Sequence, residues 1–155
     1  MMIDREMKTT INNWILQGKE AFLLTGARQI GKTYLIRECL KESKYDYIAL
    51  NFIERPELVE LFENATNAQD LLMRLSLINY VKNNREKGKC YCFFDEIQEF
   101  KDIVTRIKFL VEEGSYRYIM SGSLLGVELN DLRSAPVGYL RIEDMYPLTV
   151  KEFMK

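Results

Sequence analysis

Gly26-Ala27-Arg28-Gln29-Ile30-Gly31-Lys32-Thr33 is the stretch on which the reading of this chain turns. Gly26 and Gly31 let the backbone turn tightly, so that consecutive N–H groups face inward toward an anion and no side chain blocks its approach. Lys32 supplies a positive charge suited to the β- and γ-phosphates of a nucleotide. The Thr33 hydroxyl is a ligand for Mg²⁺, and a following helix directs its positive N-terminal end at the same anion. Such a pattern carries weight only in context. Here an apolar strand is expected over residues 21–24 before the loop and an amphipathic helix over 34–40 after it. The run from Gly26 to Thr33, with Tyr34 just beyond, is therefore expected to bind nucleotide phosphates.

A second element is Cys90-Tyr91-Cys92-Phe93-Phe94-Asp95-Glu96, an apolar strand ending in two acids. After a phosphate-binding loop this is the form of a Walker B segment. Asp95 would hold Mg²⁺, directly or through water, and Glu96 would polarise the attacking water as a general base. Lys32 and Glu96 are thus the catalytic candidates, and Thr33 and Asp95 the metal ligands. The bland alternative makes both acids a solvated strand end or a helix cap. A third candidate is Ser121-Gly122-Ser123 at the carboxyl end of the strand expected over 116–120. Ser121 or Ser123 would sense the attacking water or the γ-phosphate, or else form a turn or cap before Leu124. Arg28, Arg133 and Arg141 are candidates for the guanidinium that completes transition-state charge, a role a neighbouring subunit also fills in such enzymes. Gln98 either relays the nucleotide state or caps the next helix, and Tyr34, Leu35 and Ile36 are expected to pack on the sheet, with Tyr34 also near the nucleotide.

Around these motifs, short apolar runs alternate with segments of helical periodicity. Strands are expected over 21–24, 47–51, 90–94, 116–120 and 139–145, and helices over 34–40, 58–62, 68–81 and 103–111. The order β-α-β-α-α-β-α-β-β points to an α/β domain with a parallel sheet. No internal repeat or Gly/Ser/Pro-rich linker marks a boundary, so residues 1–155 read as one domain. The segment from Tyr146 to Phe153 begins a new helix after Pro147 and stops short at Lys155, which reads as a chain truncated at its C-terminus.

Composition narrows the function classes. With no histidine in the chain, histidine catalysis and the common zinc sites are excluded. A formal net charge of −1 argues against holding nucleic acid by an overall basic excess, though a local basic patch stays open. Cys39, Cys90 and Cys92 cannot all pair and read as reduced core thiols. The N-terminus lacks the apolar stretch of a signal peptide, and no run approaches the ~18 apolar residues of a membrane span. A cytoplasmic protein without membrane contact is expected.

Together, GARQIGKT, YCFFDEIQ, YIMSGS and PVGYLRIEDMYPLTVKEF resemble a known family. It comprises the AAA-type ATP-binding proteins of bacteria and archaea that carry an N-terminal ATPase domain followed by a C-terminal domain of unknown function. The resemblance implies an AAA-type P-loop NTPase fold, a three-layer sandwich around a parallel five-stranded sheet in the order 5-1-4-3-2. It also implies ATP with Mg²⁺ as ligands and places Ile3-Asp4-Arg5 near the adenine. Hydrolysis of ATP coupled to a partner, a second copy or an absent C-terminal domain is the leading expectation. The alternatives are a nucleotide-dependent switch that does not hydrolyse and a small P-loop kinase, the latter disfavoured because no Arg-rich lid is evident.

Overall fold

A computed structural model describes residues 5–27, 31–78, 90–123 and 138–145. The elements run α1 (Arg5–Gln17), β1 (Ala21–Thr25), α2 (Lys32–Ser43), β2 (Asp46–Asn51), α3 (Glu57–Glu63), α4 (Ala68–Ile78), β3 (Cys90–Asp95), a 3₁₀ turn (Ile97–Glu99), α5 (Asp102–Glu113), β4 (Arg117–Gly122) and β5 (Leu140–Asp144). All five strands pair in parallel, in the order β2-β3-β4-β1-β5. This is the order the resemblance implied, read from the other edge.

Strand β3 shows why the sheet is a middle layer. Cys90, Cys92 and Phe94 point to one face, where they join Leu58 and Phe62 of α3, Leu71 and Leu75 of α4, and Ile103, Ile107 and Leu110 of α5. Tyr91 and Phe93 point to the other, against Ile11 and Trp14 of α1 and Leu35, Ile36 and Cys39 of α2. A strand buried on both faces loses the polar alternation of a half-exposed one, which is why CYCFFD reads as a continuous apolar run. Each large side chain so buried contributes about 2–3 kcal/mol of apolar transfer.

Helix α1 has no counterpart among the helices expected from sequence. Its buried residues Met7, Ile11, Trp14 and Ile15 fall at helical spacing and form much of the layer beside α2. From β4, the Arg117 guanidinium closes its C-terminal end. One nitrogen donates to Ile15 O at 2.5 Å and Tyr91 Oη at 2.6 Å, and the other to Trp14 O at 2.7 Å and to Gly18 O. Trp14 O also accepts from the Gly18 N–H at 2.8 Å and Ile15 O from the Tyr91 hydroxyl at 2.7 Å, so the guanidinium adds a second donor to each and a charge of favourable sign at the helix end.

Cys39, Cys90 and Cys92 are buried free thiols. Burial pushes Cys39 up to about 11 and Cys92 further up, so both stay protonated at neutral pH. Tyr34 corrects the expectation for its trio: Leu35 and Ile36 are buried on the sheet, but Tyr34 is 44% exposed on the opposite face of α2. The expected helix over 68–81 is described as far as Ile78, and the segment from Tyr146 to Phe153 lies outside the described residues. Among those residues no helix is long and apolar enough to cross a membrane.

Candidate nucleotide site

The parallel register brings the carboxyl ends of the strands side by side. Thr25 of β1 lies opposite Gly122 of β4 and Asp144 of β5, and Asn51 of β2 lies opposite Asp95 of β3. In open α/β sheets this edge is where ligands bind, because loops and helix N-termini converge there. Thr25, although only 1% exposed, is satisfied by donating its hydroxyl to Asp144 Oδ1.

From β1 the chain passes through Gly26, with φ of 150°, and re-emerges at Gly31, which caps α2 with φ of 91°. Both angles fall where a Cβ is disfavoured, so the two glycines are the residues that let the loop bend here. Lys32, the first residue of α2 and 6% exposed, folds back along this loop. Its Nζ donates to Gly26 O at 2.9 Å and Ala27 O at 2.7 Å. Arg28, Gln29 and Ile30 lie outside the described residues.

The next residue, Thr33, reaches Asp95. Its hydroxyl lies 3.0 Å from Oδ1 and 2.9 Å from Oδ2 of that carboxylate, so α2 and β3 meet at one acid. Ser121 donates to Oδ1 from β4 at 2.5 Å, and Asn51 Nδ2 approaches Oδ2 from β2 at 3.4 Å. Asp95 is 1% exposed. Burial pushes its carboxyl above the usual aspartate range and the neighbouring Glu96 adds to this; the hydrogen bonds from Ser121 and Thr33 and the Arg37 guanidinium pull the other way.

Glu96 leaves β3 in the left-handed region, with φ of 61°. Its Oε2 accepts from Gln98 Nε2 at 2.5 Å, and Gln98 Oε1 accepts in turn from the backbone N–H of Ser123 at 3.1 Å. The two serines therefore part company. The Ser121 hydroxyl is committed to Asp95, whereas among the described residues the buried Ser123 hydroxyl has no hydrogen-bond partner.

The arginine candidates are not brought to this edge by any described contact. Arg141 pairs with Glu143 and lies over the Phe22 ring, 5.7 Å from its centroid. Arg28 and Arg133 lie outside the described residues, as do Ile3 and Asp4, while Arg5 opens α1. Asn51 was not singled out in the sequence, yet besides reaching Asp95 its Oδ1 accepts from the N–H groups of Ile53 and Glu54 at 2.9 and 3.0 Å. A small polar residue at the carboxyl end of an expected strand, the same signal that marks Ser121, would have found it.

Among the described residues no group of three or more His, Cys, Asp or Glu side chains gathers around a metal position. Mg²⁺ takes one or two protein oxygens and fills its shell with phosphate and water. The Thr33 hydroxyl and the buried Asp95 carboxylate are donors of that hard-oxygen type.

A family model described as an AAA domain (AAA_14) matches residues 18–154. The chain belongs to that family. It is an AAA-type ATPase domain, of the nucleotide-binding class. No curated protein matches it. Solved structures share the fold of this AAA domain at low identity. Drosophila ORC bound to DNA is 17% identical over 93% of this chain, with a TM-score of 0.58. Candida albicans Pif1 helicase is 12% identical over 99%, with a TM-score of 0.56, and C. elegans PCH-2 is 14% identical over 92%, also at 0.56. The domain spans 43%, 42% and 43% of those three chains, respectively.

Proposed function

We propose that this AAA domain binds ATP with Mg²⁺ and hydrolyses it to ADP and phosphate, with the nucleotide state controlling a partner or a further domain. The observation that carries the reading is the meeting of Thr33, the residue after Lys32 on α2, with Asp95 at the carboxyl end of β3. These are a hydroxyl, a carboxylate and an ammonium, the three groups that a Mg²⁺-nucleotide requires. Lys32 and the backbone from Gly26 to Thr33 would bind the phosphate chain. Arg28, Gln29, Ile30 and Tyr34 are part of the same proposed loop surface.

When bound, Mg²⁺ supplies charge neutralisation at the terminal phosphates. Thr33 and Asp95 would hold it, and Ser121 would fix the Asp95 oxygen that it touches. Glu96 would accept the proton of a water molecule as that water's oxygen bonds to the γ-phosphorus and the bond from that phosphorus to the β–γ bridging oxygen breaks. ADP leaves with the bridging oxygen. Ser123, with its hydroxyl unpartnered among the described residues, is the better sensor candidate of the two serines.

The test combines turnover and binding. Phosphate release should exceed that of Glu96→Gln by roughly a hundredfold or more, the usual worth of a positioned base. Lys32→Ala should weaken ATP in calorimetry by about ten- to a hundredfold, since a charge-assisted contact is worth about 1.5–3 kcal/mol. Release no faster than Glu96→Gln, with tight ATP binding retained, would replace hydrolysis by a binding switch.

A further inference from the structure

We propose that Gln98 is a positioning residue whose side-chain amide holds the Glu96 carboxylate and ties it to the end of β4. The proposal rests on the reading of Glu96 as the base. Glu96 sits at φ of 61°, a left-handed conformation that is unfavourable for a non-glycine residue and persists only when its surroundings fix it. The Gln98 amide is the described side-chain contact that does so, with Nε2 donating to Oε2 at 2.5 Å.

The orientation of that amide is not arbitrary. Its oxygen faces the Ser123 N–H at 3.1 Å, a group that can only donate, so its NH₂ must face the carboxylate, which can only accept. Flipping the amide would set donor against donor and acceptor against acceptor. The β4 backbone thereby dictates which end of Gln98 meets Glu96. Helix capping does not account for the residue, because the N-cap of α5 is Lys101 with no side-chain hydrogen bond.

Gly122 shows how closely the 3₁₀ turn is pressed against β4. A Cβ there would lie 2.7 Å from Ile97 Cγ1 and 3.3 Å from Gln98 Oε1, so a larger residue would push the turn and the amide away together. Ser123, whose hydroxyl has no partner among the described residues, is also the residue whose N–H orients Gln98. A shift of the β4 end toward or away from a γ-phosphate would reach the Glu96 carboxylate through one side chain.

The experiment uses the full 155-residue chain. Phosphate release, ATP affinity by calorimetry and thermal melts are measured for the unaltered protein, Glu96→Gln, Gln98→Met, Gln98→Glu, and Glu96→Gln combined with Gln98→Met. Gln98→Met keeps length without polarity; Gln98→Glu keeps an acceptor for the Ser123 N–H but cannot donate to Glu96, and it carries the comparison if the methionine variant melts early. Both should lower kcat about ten- to a hundredfold, as misplacement of a reacting group does, with ATP affinity changed less than about twofold. Added to Glu96→Gln, the Gln98→Met change should cost nothing more, because its effect passes through the missing carboxylate. Unchanged kcat in both single variants, or an equal further loss in the Glu96→Gln background, overturns the proposal alone. Unaltered protein that releases phosphate no faster than Glu96→Gln overturns the hydrolytic reading and the proposal with it.

Discussion

The Ser121 hydroxyl donates to Oδ1 of Asp95 at 2.5 Å, one step beyond the last paired position of β3 and β4, where Phe94 faces Met120. Both residues are 1% exposed. A carboxylate placed so deep is costly to ionise unless a cation stands beside it. The buried carboxylate therefore carries a stability cost, and that cost is measurable.

For Asp95 the consequence is a pH dependence of defined sign. Burial holds its folded-state carboxyl above the ordinary aspartate value of about 4, so the folded chain binds a proton more tightly than the unfolded chain does. Stability then falls as pH rises through the window between those values and stays lower above it. Asp95→Asn should melt higher than the unaltered protein at pH 7, with the difference shrinking as pH is lowered through that window toward 4, while Mg²⁺-dependent phosphate release is lost. Melting curves of the two proteins from pH 3.5 to 8 isolate this residue from the other carboxyls. A difference that is flat or reversed counts against the account.

Arg117 makes a second prediction, on stability alone. Its guanidinium donates to the carbonyls of Trp14, Ile15 and Gly18 and lies 4.8 Å from the Trp14 ring and 5.0 Å from the Tyr91 ring. Arg117→Met removes the guanidinium donor to Gly18 O, while Trp14 O keeps the Gly18 N–H and Ile15 O keeps the Tyr91 hydroxyl, and with the lost ring contacts it should cost on the order of 2–3 kcal/mol, or roughly 4–12 °C in Tm for a domain of this size. Arg117→Lys should recover less than half of that, because an ammonium keeps the charge but lacks the planar fork that serves several acceptors. Thermal melts at neutral pH decide it.

Arg117 also shows what a single sequence withholds. The strands were legible because each is an apolar run between turns, and the expected 90–94 and 47–51 differ from the observed β3 and β2 by one residue at one end. The Gly26–Thr33 loop and Asp95 stood out because the phosphate site proposed for them needs fixed residue types at fixed local spacing. The strand order came from family resemblance, since local periodicity does not say which strands are neighbours. Helix α1 was missed although Met7, Ile11 and Trp14 repeat at intervals of four and three. Gly18 just past its end is a local stop, its N–H donating to Trp14 O at 2.8 Å, but the donors that Arg117 and Tyr91 bring to the same end arrive from β4 and β3 and leave no local signal. Likewise nothing near Gln98 in the chain announces that its amide meets Ser123, 25 positions away. Contacts between remote segments carry the part of the site that spacing could not show.

Tyr118 supplies the last test, and its expected direction is a gain. The ring is 1% exposed and stacks on Phe94 at 6.0 Å between centroids, with 13° between planes, in the core between the sheet and α5. Its hydroxyl has no hydrogen-bond partner among the described residues, and burial holds it far above the usual tyrosine range, so it stays neutral and unsatisfied. An unsatisfied buried hydroxyl costs about 1–3 kcal/mol of desolvation, while the ring contributes the same packing with or without it. Tyr118→Phe should therefore stabilise the domain by about 1 kcal/mol, seen as a Tm higher by roughly 2–4 °C. ATP affinity should not change, because Tyr118 lies in the first half of β4, before the Ser121 and Ser123 end that reaches the site. A lower Tm would mean that the hydroxyl is hydrogen-bonded in solution, and the core assignment at this position would have to be withdrawn.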